Sequence, residues 1–95
     1  MSYGIKRLVL DVLKPHNPQL HELADKIARL DGVAGVNICL IEVDAETESI
    51  KITIVGPDLN FDLIKQQLEE LGGSIHSVDQ VVAGQRIVEE AETHQ

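Results

Sequence analysis

The sequence predicts an α+β fold in which a four-stranded antiparallel sheet carries two helices on one face. The 95-residue chain contains a β-α-β pattern twice, and a glycine precedes the closing strand of each half. A chain of this length buries roughly 60–70% of its unfolded surface, which is enough for one core. Two right-handed β-α-β units sharing one core form a split βαβ sandwich, the ferredoxin-like arrangement with the order βαββαβ.

The first predicted strand covers residues 5–13, which are rich in leucine and valine. Its alternation places Leu8, Leu10 and Val12 toward the helices, because successive side chains of a strand point to opposite faces. The intervening side chains, including Asp11, then lie on the face of the sheet that no helix covers. We call this second face the open face.

A helix and a second strand complete the first half. Asn17 is the expected N-cap, and Pro18 takes the favoured first helical position. Apolar residues then recur at helical spacing to about residue 30, and Gly32 ends the helix. A second strand is expected over 33–43, and a polar connection of hairpin length follows it.

The second half repeats the pattern, but other residues end its strand and cap its helix. A strand over 50–55 is predicted to break at Gly56-Pro57. Either Asp58 or Asn60 is expected to cap the second helix. The last extended stretch is predicted from Ile75 to about residue 88, with an interruption at a glycine on the way.

Composition limits the classes of partner. Eight basic and sixteen acidic residues leave a net charge of −8, which disfavours binding to nucleic acid and to anionic membranes. No apolar run approaches the ~18 residues of a membrane span, and the N-terminus has no signal-peptide pattern. We therefore expect a cytoplasmic protein with one domain over residues 1–88 and a frayed acidic tail over 89–95.

The open face predicts association between copies of the chain. The second strand carries apolar residues on both faces, so a lone monomer would leave apolar surface in water. Large exposed apolar patches usually mark interfaces. We therefore expect a homo-oligomer, and the alternative is a monomer whose open face is shielded by long side chains. Cys39, the single cysteine, is expected to be a small buried residue of this strand.

The connection between the second and third strands offers a candidate cation site. Glu42, Asp44, Glu46 and Glu48 alternate along it, and carboxylate oxygens converging in a tight loop are ligands for Ca²⁺ or Mg²⁺. The spacing does not match an EF-hand. The alternative is a solvated hairpin tip whose charges discourage aggregation through the sheet edge.

A candidate ligand site lies between the first and last strands. If these strands pair antiparallel, Asp11 and Asp79 become neighbours on the open face, together with His76 and Ser77. Two adjacent carboxylates repel unless a proton, a cation or a polar ligand intervenes. A one-residue slip in register separates the pair, and ordinary polar residues at an oligomer interface are the alternative.

Catalytic motifs are absent from the sequence. It contains no nucleophile elbow, no phosphate-binding loop and no dinucleotide fingerprint. Tyr3 and Phe61 are its only aromatic residues, whereas RNA recognition on such a sheet requires aromatic side chains on the central strands. No catalytic residue is assigned.

Several segments together resemble a known family. The segments Leu10–His16 (LDVLKPH) and Ile75–Gly84 (IHSVDQVVAG) are specific, and Gly32–Asn37 and Glu42–Asp44 add to them. They are similar to an uncharacterised archaeal family, domain of unknown function 211. The resemblance implies a ferredoxin-like fold, an archaeal cytoplasmic setting and assembly into homo-oligomers. It implies no established activity and supplies no catalytic residues. The predicted shape is also similar to that of ACT-type regulatory domains.

These observations favour a non-enzymatic, homo-oligomeric module that binds a small ligand or a divalent cation such as Ca²⁺ or Mg²⁺. Two alternatives remain open at this point. One is a structural assembly subunit without a ligand. The other is an enzyme that uses Asp11, His76 and Asp79 as acid-base groups.

Overall fold

A computed structural model describes residues 4–91 and has the predicted ferredoxin-like α+β fold. Its elements are β1 (Ile5–Pro15), α1 (Leu20–Ala28), β2 (Gly35–Val43), β3 (Thr47–Leu59), α2 (Phe61–Glu70) and β4 (Ser74–Ala83). The strands form one antiparallel sheet in the order β2-β3-β1-β4, so the first and third strands are central. No helix within residues 4–91 is long and apolar enough to cross a membrane.

The core lies between the sheet and the two helices. Its most deeply buried side chains are Leu8, Leu10 and Val12 from β1, Ile50, Ile52 and Ile54 from β3, and Leu23, Ile27, Ile64 and Leu68 from the helices. The predicted facing of β1 is therefore confirmed. Burying one such aliphatic side chain contributes roughly 1.5–3 kcal/mol, so this aliphatic layer is the main source of stability.

The two helices begin differently. The predicted cap Asn17 is wrong, because α1 starts after Gln19, whose backbone N–H donates to the Glu22 carboxylate at 3.2 Å. This contact is one half of a capping box and satisfies a donor that the helix leaves unpaired. Asn60 caps α2, and its side-chain oxygen accepts a hydrogen bond from the N–H of Leu63 at 3.1 Å.

Strand β3 continues through the predicted break at Gly56-Pro57. Its register with β1 jumps there, since Val55 lies opposite Arg7 whereas Leu59 lies opposite Ile5. The proline therefore occupies an irregular part of the ladder, where its missing N–H removes no regular pairing. Beyond this irregularity β3 pairs with β1 again at Leu59, which the glycine and proline in the sequence do not reveal.

Strand β4 ends at Ala83 rather than near residue 88. Gly84 has a φ of +113°, a left-handed conformation that favours glycine and follows the last residue of the strand. Beyond the turn, Glu89 accepts hydrogen bonds of 2.8–3.0 Å from the Arg7 guanidinium. The first residue of the predicted acidic tail is thus bound to the open face, and residues 92–95 lie outside the described range.

Candidate functional site

Strand register arranges the open face in rows that cross all four strands. One row contains, in sheet order, Cys39, Lys51, Asp11 and Ser77. The neighbouring row contains Asn37, Thr53, Val9 and Gln80. The centre of the open face is therefore more polar than predicted. Cys39 is exposed rather than buried, because β2 is an edge strand and the side chain lies on the uncovered face.

Exposed apolar side chains concentrate at the two edges of the sheet. At the end of β2, Leu40, Ile41 and Val43 are 46%, 63% and 55% exposed, and we call them the β2 patch. On β4, Val78 and Val81 are also exposed. On the open face itself, Val9 and Val82 are buried, whereas Leu13 at the end of β1 is 42% exposed. Exposed apolar surface is therefore present, and most of it lies at the edges of the sheet.

Two bulges in β4 decide which of its side chains reach the open face. Register shifts against β1 leave His76 and Asp79 without a directly opposed residue. A bulge inserts one residue and reverses the alternation beyond it. As a result His76, Ser77 and Asp79 gather on the side of Asp11. A regular strand would place His76 on the face opposite to the other two.

The four predicted ligand residues are brought together in two pairs. Asp11 and His76 line one groove, whereas the Ser77 hydroxyl donates to Asp79 Oδ1 at 2.7 Å. Ser77 lies directly opposite Asp11 in the β1–β4 ladder. The expected direct neighbourhood of the two aspartates is replaced by this serine, which separates them and occupies one oxygen of Asp79.

The groove has a volume of about 270 Å³ and is also lined by Leu13 and Ser49. Within residues 4–91, the side chains of Asp11, Ser49 and His76 form no hydrogen bond or ion pair. Lys51 lies opposite Asp11 in the ladder and is exposed. The groove lining thus offers a carboxylate, a hydroxyl and an imidazole to a small polar molecule, and Lys51 lies beside this lining.

The predicted Ca²⁺ or Mg²⁺ site is not formed. Within the described range 4–91, no group of three or more His, Cys, Asp or Glu side chains is placed to hold a metal ion. Glu48 lies in β3 opposite Lys14 and binds its ammonium group, so it points away from the exposed carboxylates of Glu42, Asp44 and Glu46. Because β3 begins at Thr47, Glu48 is a strand residue and not part of the loop.

Glu48 instead belongs to an ion cluster at the end of β1. Lys14 is 2% exposed, and its Nζ donates to Glu48 Oε1 and the Pro15 carbonyl, both at 2.7 Å. His16 Nδ1 lies 3.1 Å from Glu48 Oε2, and its Nε2 lies 3.0 Å from the Ala45 carbonyl oxygen. One carboxylate thus binds two basic side chains and joins β1 to the β2–β3 hairpin.

The hydrogen bonds of this cluster shift two pKa values in opposite directions. The bond from Lys14, followed by the bond from His16, lowers the pKa of Glu48 below its ordinary value of 4.5. The bond to Glu48, followed by the bond to Ala45, raises the pKa of His16 above 6.5. Both shifts favour the charged forms of the two side chains.

Sequence reasoning missed this cluster. Glu48 was grouped with the acidic connection, and no partner was predicted for His16. The available signal was Lys14 at a position of β1 that alternation assigns to the core face, since a buried lysine requires an acidic partner.

Comparison with known proteins places these features in a family. The model of the family DUF211, described as uncharacterized ArCR, matches residues 6–95. The chain is also 52% identical over 92 residues to an uncharacterized protein, MJ0319, of Methanocaldococcus jannaschii. That match covers 97% of this chain and 95% of the relative.

The chain belongs to the DUF211 family. The resemblance seen in the sequence is confirmed, and the match includes both the open-face groove and the ion cluster. Neither the DUF211 description nor the name of the relative states an activity, so roles for individual residues rest on the geometry of this chain.

Proposed function

We propose that this DUF211 protein is a non-enzymatic, homo-oligomeric module that binds a small polar ligand in the open-face groove. The groove carries the proposal, because Asp11, Ser49 and His76 converge there without partners among the described residues. Asp11 and Ser49 are half-buried and His76 is exposed, so all three are accessible from solvent. Several polar groups that converge in one concave site favour a small ligand. The size of the groove favours a molecule of a few heavy atoms rather than a macromolecule.

The β2 patch supports the oligomeric part of the proposal. Strand β2 pairs only with β3 in the sheet of residues 4–91, so its other edge offers unpaired backbone groups to a second copy. The exposed side chains of Leu40, Ile41 and Val43 lie at the end of the same strand. A strand edge beside an apolar patch is typical of an association surface.

Replacing Ile41 with lysine is expected to dissociate the oligomer. The side chain is 63% exposed, so the substitution leaves the core intact, whereas a buried charge at an interface strongly weakens association. Size-exclusion chromatography with light scattering gives the mass. The wild type should have a multiple of the 10.4 kDa subunit mass, and I41K should approach one subunit.

Ala28→Lys is the matched control, because Ala28 is exposed at the end of α1 and lies outside the sheet. A wild-type mass of one subunit would remove the oligomeric proposal. An unchanged mass for I41K would show that the copies associate through another surface.

Replacing Asp11 with asparagine is expected to abolish ligand retention. The change removes the groove's negative charge but preserves side-chain size, so a cationic or hydrogen-bond-donating group loses its charge-assisted partner. Native mass spectrometry of the untreated protein reports subunit number and retained mass together. The wild type should carry added mass that dissociates on collisional activation, and D11N should lack it.

Asp62→Asn controls for the loss of one carboxylate, since Asp62 is exposed on the first turn of α2. It should retain the added mass. Equal added mass in D11N and the wild type would contradict the groove as the binding site. A wild type with no added mass would favour a structural subunit without a ligand.

A further inference from the structure

Both ring nitrogens of His16 face groups that only accept hydrogen bonds. Nδ1 lies 3.1 Å from a carboxylate oxygen of Glu48, and Nε2 lies 3.0 Å from the carbonyl oxygen of Ala45. A neutral imidazole has one N–H and one bare nitrogen, so it donates to only one of these oxygens. At the other contact the lone pair of the bare nitrogen faces a lone pair of the oxygen. The imidazolium form donates to both. The geometry is therefore that of a charged histidine.

We propose that His16 is a proton-operated clamp that holds the tip of the β2–β3 hairpin against the segment after β1. The imidazolium form bridges Ala45 in the hairpin turn and Glu48 at the start of β3. Loss of the proton breaks one of the two bonds and releases the tip. The clamp is independent of the function proposed for the open-face groove.

The charged groups around His16 come from two strands. Glu48 of β3 approaches Nδ1 and favours the proton, whereas Lys14 of β1 opposes it. The effect of Lys14 is limited, because its Nζ is bound to the other oxygen of the same carboxylate at 2.7 Å. The Glu48 carboxylate thus lies between His16 and Lys14. Its attraction for the proton on His16 outweighs the repulsion from Lys14.

The hairpin tip is otherwise weakly held. The N–H of Asp44 donates to the carbonyl of Thr47 at 2.8 Å, and residues 44–46 are exposed. The β2 patch begins just before this turn. The proton on His16 therefore controls the order of a segment that adjoins an exposed apolar surface.

The sign of the pH dependence follows from the two pKa directions. The raised pKa of His16 gives a stabilisation that is complete below about 6.5 and is lost as pH rises through the folded-state pKa. The lowered pKa of Glu48 gives a stabilisation that is complete above about 4.5 and is lost as pH falls through its folded-state pKa. The cluster is strongest between these values.

Nuclear magnetic resonance of the histidine ring nitrogens tests the clamp in the wild-type chain, with a chelator present to remove adventitious metal. The reference is the ordinary pKa of a histidine side chain, 6.5. At pH 6.5 most of the His16 rings should still have both nitrogens protonated. As its proton is lost, amide exchange at Asp44 should accelerate by roughly 2- to 5-fold beyond the intrinsic pH effect.

Two variants separate the clamp from general electrostatics. H16Q should remove the alkaline loss of stability and give the fast hairpin exchange at every pH, whereas H21Q should behave as the wild type. E48Q should lower the titration midpoint of His16 below that of the wild type. A wild-type His16 that loses its proton at or below the ordinary value of 6.5 would overturn the proposal even where a variant does not fold. An H16Q pH profile identical to that of the wild type would also overturn it.

Discussion

The Gly56→Ala variant is expected to lose about 3 kcal/mol or more of unfolding free energy, a large part of the stability of a small domain. A Cβ at this position overlaps the backbone carbonyl oxygen of Gly32 and would lie 2.8 Å from Leu59 Cδ2. The overlap with Gly32 is with the main chain, so no rotamer change relieves it. The loop that joins α1 to β2 must move away from the end of β3.

Gly32, in the segment that faces Gly56, is constrained in a similar way. Gly32 has a φ of +87°, and a Cβ there would lie 2.6 Å from the carbonyl oxygen of Asp58. Two chain segments therefore pack backbone to backbone at this end of the sheet, and glycine is required on both sides.

Denaturant unfolding of G56A and of a matched control measures the effect. Gly35→Ala is the control, because Gly35 also lies in a strand but its Cβ would meet Val55 Cγ2 at an ordinary 3.6 Å. G35A should change the unfolding free energy by less than about 1 kcal/mol. A G56A variant as stable as G35A would show that the two segments separate at little cost. If G56A does not fold, its far-ultraviolet circular dichroism reports the larger effect directly.

The second large effect is expected for Lys14→Ala, with a loss of roughly 3 kcal/mol. The side chain is 2% exposed, and its stem lines a small apolar space, too narrow for water, with Val12, Pro18 and Leu23. Truncation enlarges this space and removes the ammonium group from three acceptors, the Glu48 carboxylate and the carbonyl oxygens of Pro15 and His16. It also leaves the partly buried Glu48 with one basic partner instead of two.

Lys14→Met separates the two causes, because methionine keeps most of the stem and removes the charge. K14M should retain more stability than K14A if packing contributes, and both should be less stable than the wild type. Lys51→Ala is the exposed-lysine control and should lie within about 0.5 kcal/mol of the wild type. Thermal and denaturant unfolding provide the comparison. A K14A variant as stable as K51A would mean that the buried ion cluster adds nothing to the fold.

Local patterns in the sequence were sufficient where one face of an element is uniformly apolar. Leu8, Leu10 and Val12 alternate without interruption, and period-two alternation has one meaning when a helix layer covers one face. Asn60 was one of two expected caps, and it is the cap because its side chain accepts from a backbone N–H only three residues away. These features depend on contacts within a few residues.

The candidate site was predicted in its residues but not in its geometry. Asp11, His76, Ser77 and Asp79 do gather on one face, yet neither regular register of β4 explains this, because two bulges reverse the alternation. A bulge is set by pairing with a strand more than sixty residues away in the chain. The predicted metal site failed for a related reason, since Glu48 follows the register of β3 and binds Lys14.

The sequence by itself determined the βαββαβ order, the apolar layer and the membership of DUF211. These three conclusions follow from hydrophobic periodicity, from glycine and proline at the ends of elements, and from the specific segments LDVLKPH and IHSVDQVVAG. All of these are local features of the sequence. Tertiary structure alone decided which polar side chains share the open-face groove, which carboxylate pairs with the buried lysine, and where apolar surface remains exposed. The physical reason is that side-chain direction in a sheet changes with a register shift of one residue, and register is decided between distant strands.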